Sequence, residues 1–157
     1  MPTSSLTLEN ENLRLVFDPT SGALTGLTAV QTGWEILNRP QLGLSFRLLV
    51  PLRDSADWHA PAPRNNAVYG EKQTLTRHQL EPGRSLTLVW DGVQSEAGGW
   101  LDIQVTLHVA FEGGQAIFTP TIENRSVYIV ENVYCPYLGD IQHPHDSPWF
   151  KTFTYVY

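Results

Sequence analysis

From Leu101 to Phe111 apolar and polar residues alternate almost without error. Leu101, Ile103, Val105, Leu107, Val109 and Phe111 form one set, and Asp102, Gln104, Thr106, His108 and Ala110 lie between them. A period of two places the sets on opposite faces of a β-strand. Glu112, Gly113 and Gly114 then supply a turn, and a second β-rich run begins at Gln115, so the pattern predicts a half-buried antiparallel hairpin.

Similar runs recur along the chain at Asn12–Phe17, Ala23–Val30, Gly43–Val50, Glu71–Leu80, Ser85–Trp90, Gln115–Glu123 and Ile129–Tyr134. Turn formers separate them: Asp18 to Gly22, Gln31 to Gly33, Asn38 to Pro40, Pro82-Gly83, Asp91-Gly92 and Gly98-Gly99. Short strands with turn signals about every ten residues predict an all-β, antiparallel β-sandwich or barrel. No segment carries a 3.6-residue amphipathic period; at most a turn or two of helix is expected near Asp54–Trp58. Arg53 to Asn66 has no periodicity and reads as a surface loop, the kind of segment in which binding residues are commonly placed.

Composition narrows the function classes. The 157 residues suit one domain spanning the whole chain. A net charge of −6 with scattered Lys and Arg argues against nucleic acid and against an anionic membrane surface. No run approaches the roughly 18 apolar residues of a membrane span. The first residues lack a signal peptide, so a cytoplasmic protein is expected, or a secreted one whose signal has been removed. Cys135, the single cysteine, excludes an internal disulfide and reads as a partly buried structural thiol. The aromatic stretch Trp149 to Tyr157, with no polar tail, suggests a piece of a longer polypeptide.

Two blocks of sequence carry a family resemblance. Glu11-Asn12-Leu13-Arg14-Leu15-Val16-Phe17-Asp18 is followed by Gly22-Ala23-Leu24-Thr25-Gly26-Leu27 and by Thr32-Gly33-Trp34-Glu35. Later come Ile122-Glu123-Asn124-Arg125-Ser126, Val130 to Tyr134, and Pro136-Tyr137-Leu138-Gly139-Asp140. Together they resemble the galactose-mutarotase-like β-sandwich (supersandwich) found at the N-terminus of many glycoside hydrolases and related carbohydrate-active enzymes. The resemblance implies an accessory, non-catalytic domain that packs on the catalytic domain of the same polypeptide and contributes to carbohydrate binding. It implies no cofactor.

An aldose epimerase or a polysaccharide-lyase-like enzyme needs an acid and a base facing one sugar carbon. His108 falls on the polar strand face and Arg77-His78 point to opposite faces, so neither supplies such a pair. His143-Pro144-His145-Asp146 brings two imidazoles and a carboxylate together, but no second cluster completes a metal site, and a proline-rich surface loop explains it. No two carboxylates are paired by spacing as glycoside hydrolysis requires, so no catalytic residue is assigned. Sugar rings pack on flat aromatic faces ringed by polar groups. Trp58 with His59, and His143, His145 and Asp146 with Trp149, lie in loop-like stretches and are the expected carbohydrate contacts. Trp34, Trp90 and Trp100 lie in or beside strands and are expected to pack in the core or at its rim. A structural module with no ligand of its own is the third reading.

Overall fold

The computed structural model of the chain describes residues 5–52 and 65–144. Eleven strands are present there: β1 (Leu6–Glu9), β2 (Leu13–Phe17), β3 (Leu24–Ala29), β4 (Trp34–Leu37), β5 (Arg47–Leu49), β6 (Ala67–Tyr69), β7 (Arg77–Glu81), β8 (Ser85–Ser95), β9 (Gly99–Glu112), β10 (Gln115–Asn124) and β11 (Asn132–Tyr134). Every pairing is antiparallel. The strands form three sheets, ordered β1-β2-β3-β4, β10-β9-β8-β7 and β11-β5-β6. The only helical elements among the described residues are two 3-10 turns, Pro40–Leu42 and Gly70–Lys72. None of its helices is long and apolar enough to cross a membrane.

The alternation in β9 does what its period dictates. Leu101, Ile103, Val105, Leu107 and Val109 are buried, whereas Asp102, Gln104, Thr106 and His108 turn outward. These apolar residues meet Leu8, Leu15 and Phe17 of the first sheet and Leu48 and Val68 of the third in one continuous core.

Strand β8 runs five residues past its expected end at Trp90. The register shifts between Asp91 and Val93, and Gly92 sits there at φ +82°. Asp91-Gly92 is thus a β-bulge rather than a turn, and the extra residue brings Val93, not Gly92, onto the core face. Asn66, expected at the end of a surface loop, is buried instead. Its Nδ2 donates to the Val50 carbonyl at 2.9 Å, and its Oδ1 accepts from the Ala97 amide at 2.8 Å, tying β6 to the β8–β9 turn. The expected strand over Glu71–Leu80 is confined to β7; its first residues enter a 3-10 turn held to β8 by Gln73, whose Oε1 accepts from the Gln94 amide at 2.7 Å. The stretch expected to contain a helical turn near Asp54–Trp58 lies outside the described residues.

Trp90 occupies the junction of the sheets and is fully buried. Its indole N–H donates to the Ser21 carbonyl at 2.9 Å, and its ring meets Phe46 edge-on with centroids 4.9 Å apart. The β2–β3 turn is shaped around it. The Asp18 carboxylate accepts from the amides of Thr20 (2.9 Å) and Ser21 (2.6 Å), and Gly22 follows at φ +73°. A Cβ on Gly22 would stand 2.4 Å from Trp90 Cζ2. Trp34 is half-buried, as expected for the rim. Trp100 departs from expectation: it lies on the outward face of β9 and is 64% exposed.

Gly22→Ala combines overpacking against the indole with a left-handed backbone, and a loss of about 2–4 kcal/mol is expected in chemical denaturation. Gly113→Ala is the control, since Gly113 has φ +59° with no atom in reach of a Cβ, and should lose only about 1 kcal/mol. Hydrogen bonds from the Ser21 amide and hydroxyl and from the Thr20 amide hold the Asp18 carboxyl below its ordinary pKa. Its contribution is therefore complete above about pH 4 and fades as pH falls through the folded value. Asp18→Ala should cost about 1 kcal/mol at neutral pH, and the gap to the parent should close on acidification.

Candidate functional site: a tyrosine-lined groove over the small sheet

The three-stranded sheet has one face in the core and one outside. Leu48 and Val68 are directly paired and fully buried. One residue along, Arg47 pairs with Tyr134 on β11 and with Tyr69 on β6, so Tyr134, Arg47 and Tyr69 form a row across the opposite face. The Arg47 guanidinium lies 5.3 Å from the centre of the Tyr69 ring. Lys72, from the 3-10 turn after β6, places its Nζ 4.5 Å from the same ring and donates to Glu96 at 3.1 Å.

After β11 the chain returns across the molecule. The Tyr137 amide donates to the Ser45 carbonyl at 2.9 Å, and the Gln142 amide donates to Ile36 at 2.8 Å. Arg39 and Asp140 form an ion pair, and the Trp34 indole N–H donates to the Gln142 carbonyl at 3.2 Å. Gly139 lies so close to Leu44 that a Cβ would approach its Cδ1 to 2.8 Å. This segment is thereby tied to both the first and the third sheet.

Between the returning segment and β5 lies a groove of about 570 Å³, lined by Leu44, Arg47 and the run from Tyr134 to Gly139. Tyr134 and Tyr137 stand in it with centroids 6.4 Å apart and planes inclined by 55°. Among the described residues its lining contains one cation, Arg47, and no carboxylate or histidine. Arg47 Nε is buried and has no hydrogen-bond partner among the described residues; the same holds for Ser45 Oγ, two residues away on the chain. A buried donor or acceptor left without a partner is destabilising. The groove thus offers two aromatic faces, two phenolic hydroxyls and a guanidinium. These groups can stack on and hydrogen-bond a polar ring compound.

Of the residues expected to contact carbohydrate, His143 alone lies within the described part. It is exposed, with Nδ1 3.1 Å from the Pro144 carbonyl, and it does not line the groove. Trp58, His59, His145, Asp146 and Trp149 lie outside the described residues. Sequence reasoning passed over Arg47, Tyr134 and Tyr137. The dense run Tyr134-Cys135-Pro136-Tyr137 was the available signal, but Arg47 joins it only through strand register. His108 is outward-facing as expected, with Nδ1 3.0 Å from Thr87 Oγ1. No group of three His, Cys, Asp or Glu suited to a metal occurs among the described residues. No protein-family model, curated protein or solved structure matches the chain.

Cys135 lines the groove as a neutral thiol, its pKa pushed up to about 11 by burial. Slow reaction with Ellman's reagent is expected at pH 8, becoming fast when denaturant exposes the side chain. A raised folded pKa also means that the unfolded state ionises first, so stability should fall between about pH 9 and 11. Cys135→Ala should show a shallower decline in alkaline denaturation curves.

Proposed function

We propose that this chain is a non-catalytic, carbohydrate-binding β-sandwich domain of the galactose-mutarotase-like type, accessory to a glycoside hydrolase. The observation that carries the reading is the groove over β5 and β11, where Tyr134, Tyr137 and Arg47 converge. The C–H face of a pyranose packs on a tyrosine ring, while guanidinium and phenol groups hydrogen-bond its hydroxyls. The strand–turn–strand of β2 and β3 falls on the residues that carry the family resemblance, which supports the proposed type.

The accessory role draws on a second feature. Val127, Ile129 and Val133 are exposed large hydrophobics within seven residues, in and before the edge strand β11. An apolar strip of this kind suits packing against the catalytic domain of the same polypeptide. It adjoins the groove at Tyr134, so a docked domain would form a further wall for the bound sugar.

Thermal-shift titration of the purified chain against a glycan panel tests the binding. A ligand is expected to raise the melting temperature by mass action, and the shift should fall away in Tyr137→Ala and Arg47→Gln. Well-folded protein that no glycan stabilises would leave a packing module without a ligand of its own. Sugar mutarotation by the isolated chain would instead favour an epimerase.

A further inference from the structure

We propose that Trp100 is the platform of a second saccharide site, on the outward face of the β10-β9-β8-β7 sheet, and that this site takes neutral sugars. The three tryptophans of the described residues differ in how they are held. The indole N–H groups of Trp34 and Trp90 donate to the carbonyls of Gln142 and Ser21. Trp100 Nε1 has no protein acceptor among the described residues, and 64% of the residue is exposed.

Exposure does not leave this ring without support. It rests on the bulge at Gly92, where a Cβ would lie 2.5 Å from Trp100 Nε1 and 2.7 Å from Cζ2. Only a residue lacking a side chain allows the indole to sit against the backbone there, and φ +82° also favours glycine. The ring is thus seated before any ligand arrives, which lowers the entropy cost of stacking on it.

Polar groups frame the platform. Gln94 is paired with Trp100 across the sheet, and Asp102 lies two residues along the same strand face. Arg125 donates from Nε to Asp102 Oδ1 at 2.8 Å and from Nη2 to Asp91 Oδ1. Glu123 stands 3.9 Å from the same guanidinium. These contacts fix both aspartates while each Oδ2 keeps no protein partner among the described residues. Two oriented acceptors beside an aromatic face fit the hydroxyls and the C–H face of a pyranose.

Charge selects among sugars. Asp91, Asp102 and Glu123 outnumber Arg125, so an acidic saccharide is repelled and a neutral one is not. An apolar protein surface placed over the ring would desolvate the two free carboxylate oxygens without satisfying them. The platform and the tyrosine groove have no residue in common, so either can fail without the other.

Affinity electrophoresis and tryptophan fluorescence with cellohexaose, xylohexaose, mannohexaose and maltohexaose test the site in a Tyr137→Ala background, which disables the groove. Binding to at least one of these sugars is expected, with a blue shift of the emission as the exposed indole is covered. Adding Trp100→Ala should weaken binding roughly tenfold or more, and Trp100→Phe should restore part of it. The melting temperature should move little in either variant, because the side chain lies outside the core. Absence of binding by all four sugars, or unchanged affinity in Trp100→Ala, would overturn the proposal. Binding confined to the parent chain and lost in Tyr137→Ala alone would assign the sugars to the groove and overturn it equally.

Discussion

Trp90 sets the positions of all three sheets relative to one another. It belongs to β8, donates its indole proton to the β2–β3 turn, and packs edge-on against Phe46 at the threshold of β5. A side chain of that size can sit at such a junction only if the surrounding backbone gives way. Gly22 does so on one side; Gly70 does so for Phe46, where a Cβ would lie 2.6 Å from the ring. The Gly70 amide also donates to the Phe46 carbonyl at 2.8 Å, so the same close approach aligns β5 with β6. Two aromatic rings and two absent side chains therefore determine which way the small sheet faces.

From that orientation the rest of the groove follows. With Leu48 and Val68 committed to the core, the period of two obliges Arg47 and Tyr69 to face outward. A three-residue sheet is too short to be stable alone, and its stability comes from the core it shares with the larger sheets. Its outer face is consequently free to hold a cation between aromatic residues and a buried donor that has no partner among the described residues. Such features would weaken a sheet that had to secure its own packing.

Much of the fold is legible in the sequence because it is encoded locally. The β9 alternation, the Pro82-Gly83 turn and the Gly113-Gly114 hairpin each carry their signal within a few residues. Strands β1, β4 and β6 lie outside the expected runs: each has four or fewer residues, and none sits within a longer β-rich run as the equally short β5 and β11 do. Asp91-Gly92 misled because a turn and a glycine bulge use the same residues, and only the partner strand distinguishes them. The groove was illegible for a stronger reason: Arg47 meets Tyr134 through a pairing that spans most of the chain, and no local pattern specifies that register. Trp58, His59 and most of the His143–Trp149 stretch, singled out by their local density of aromatic and histidine residues, lie outside the described residues.

Tyr134 on one sheet, Tyr137 in the segment that follows it, and Trp100 on another sheet share a physical logic despite their different surroundings. Each aromatic is positioned by backbone geometry: Tyr134 by the pairing of β11 with β5, Tyr137 by a segment tied to Ser45 and Ile36, the tryptophan by a bulge at Gly92. Backbone-held rings lose little freedom when a ligand stacks on them, so more of the stacking energy remains as affinity. What differs is the charge beside the ring. Arg47 gives the groove a cation that favours ligands rich in acceptors or carrying negative charge, whereas Asp91 and Asp102 give the Trp100 face acceptors that favour donors. A chain with net charge −6 repels acidic ligands at long range, and only a local cation can offset that at short range. Arg47, the groove's cation among the described residues, lies against Tyr69, so the local charge of the groove is opposite in sign to that of this acidic protein as a whole.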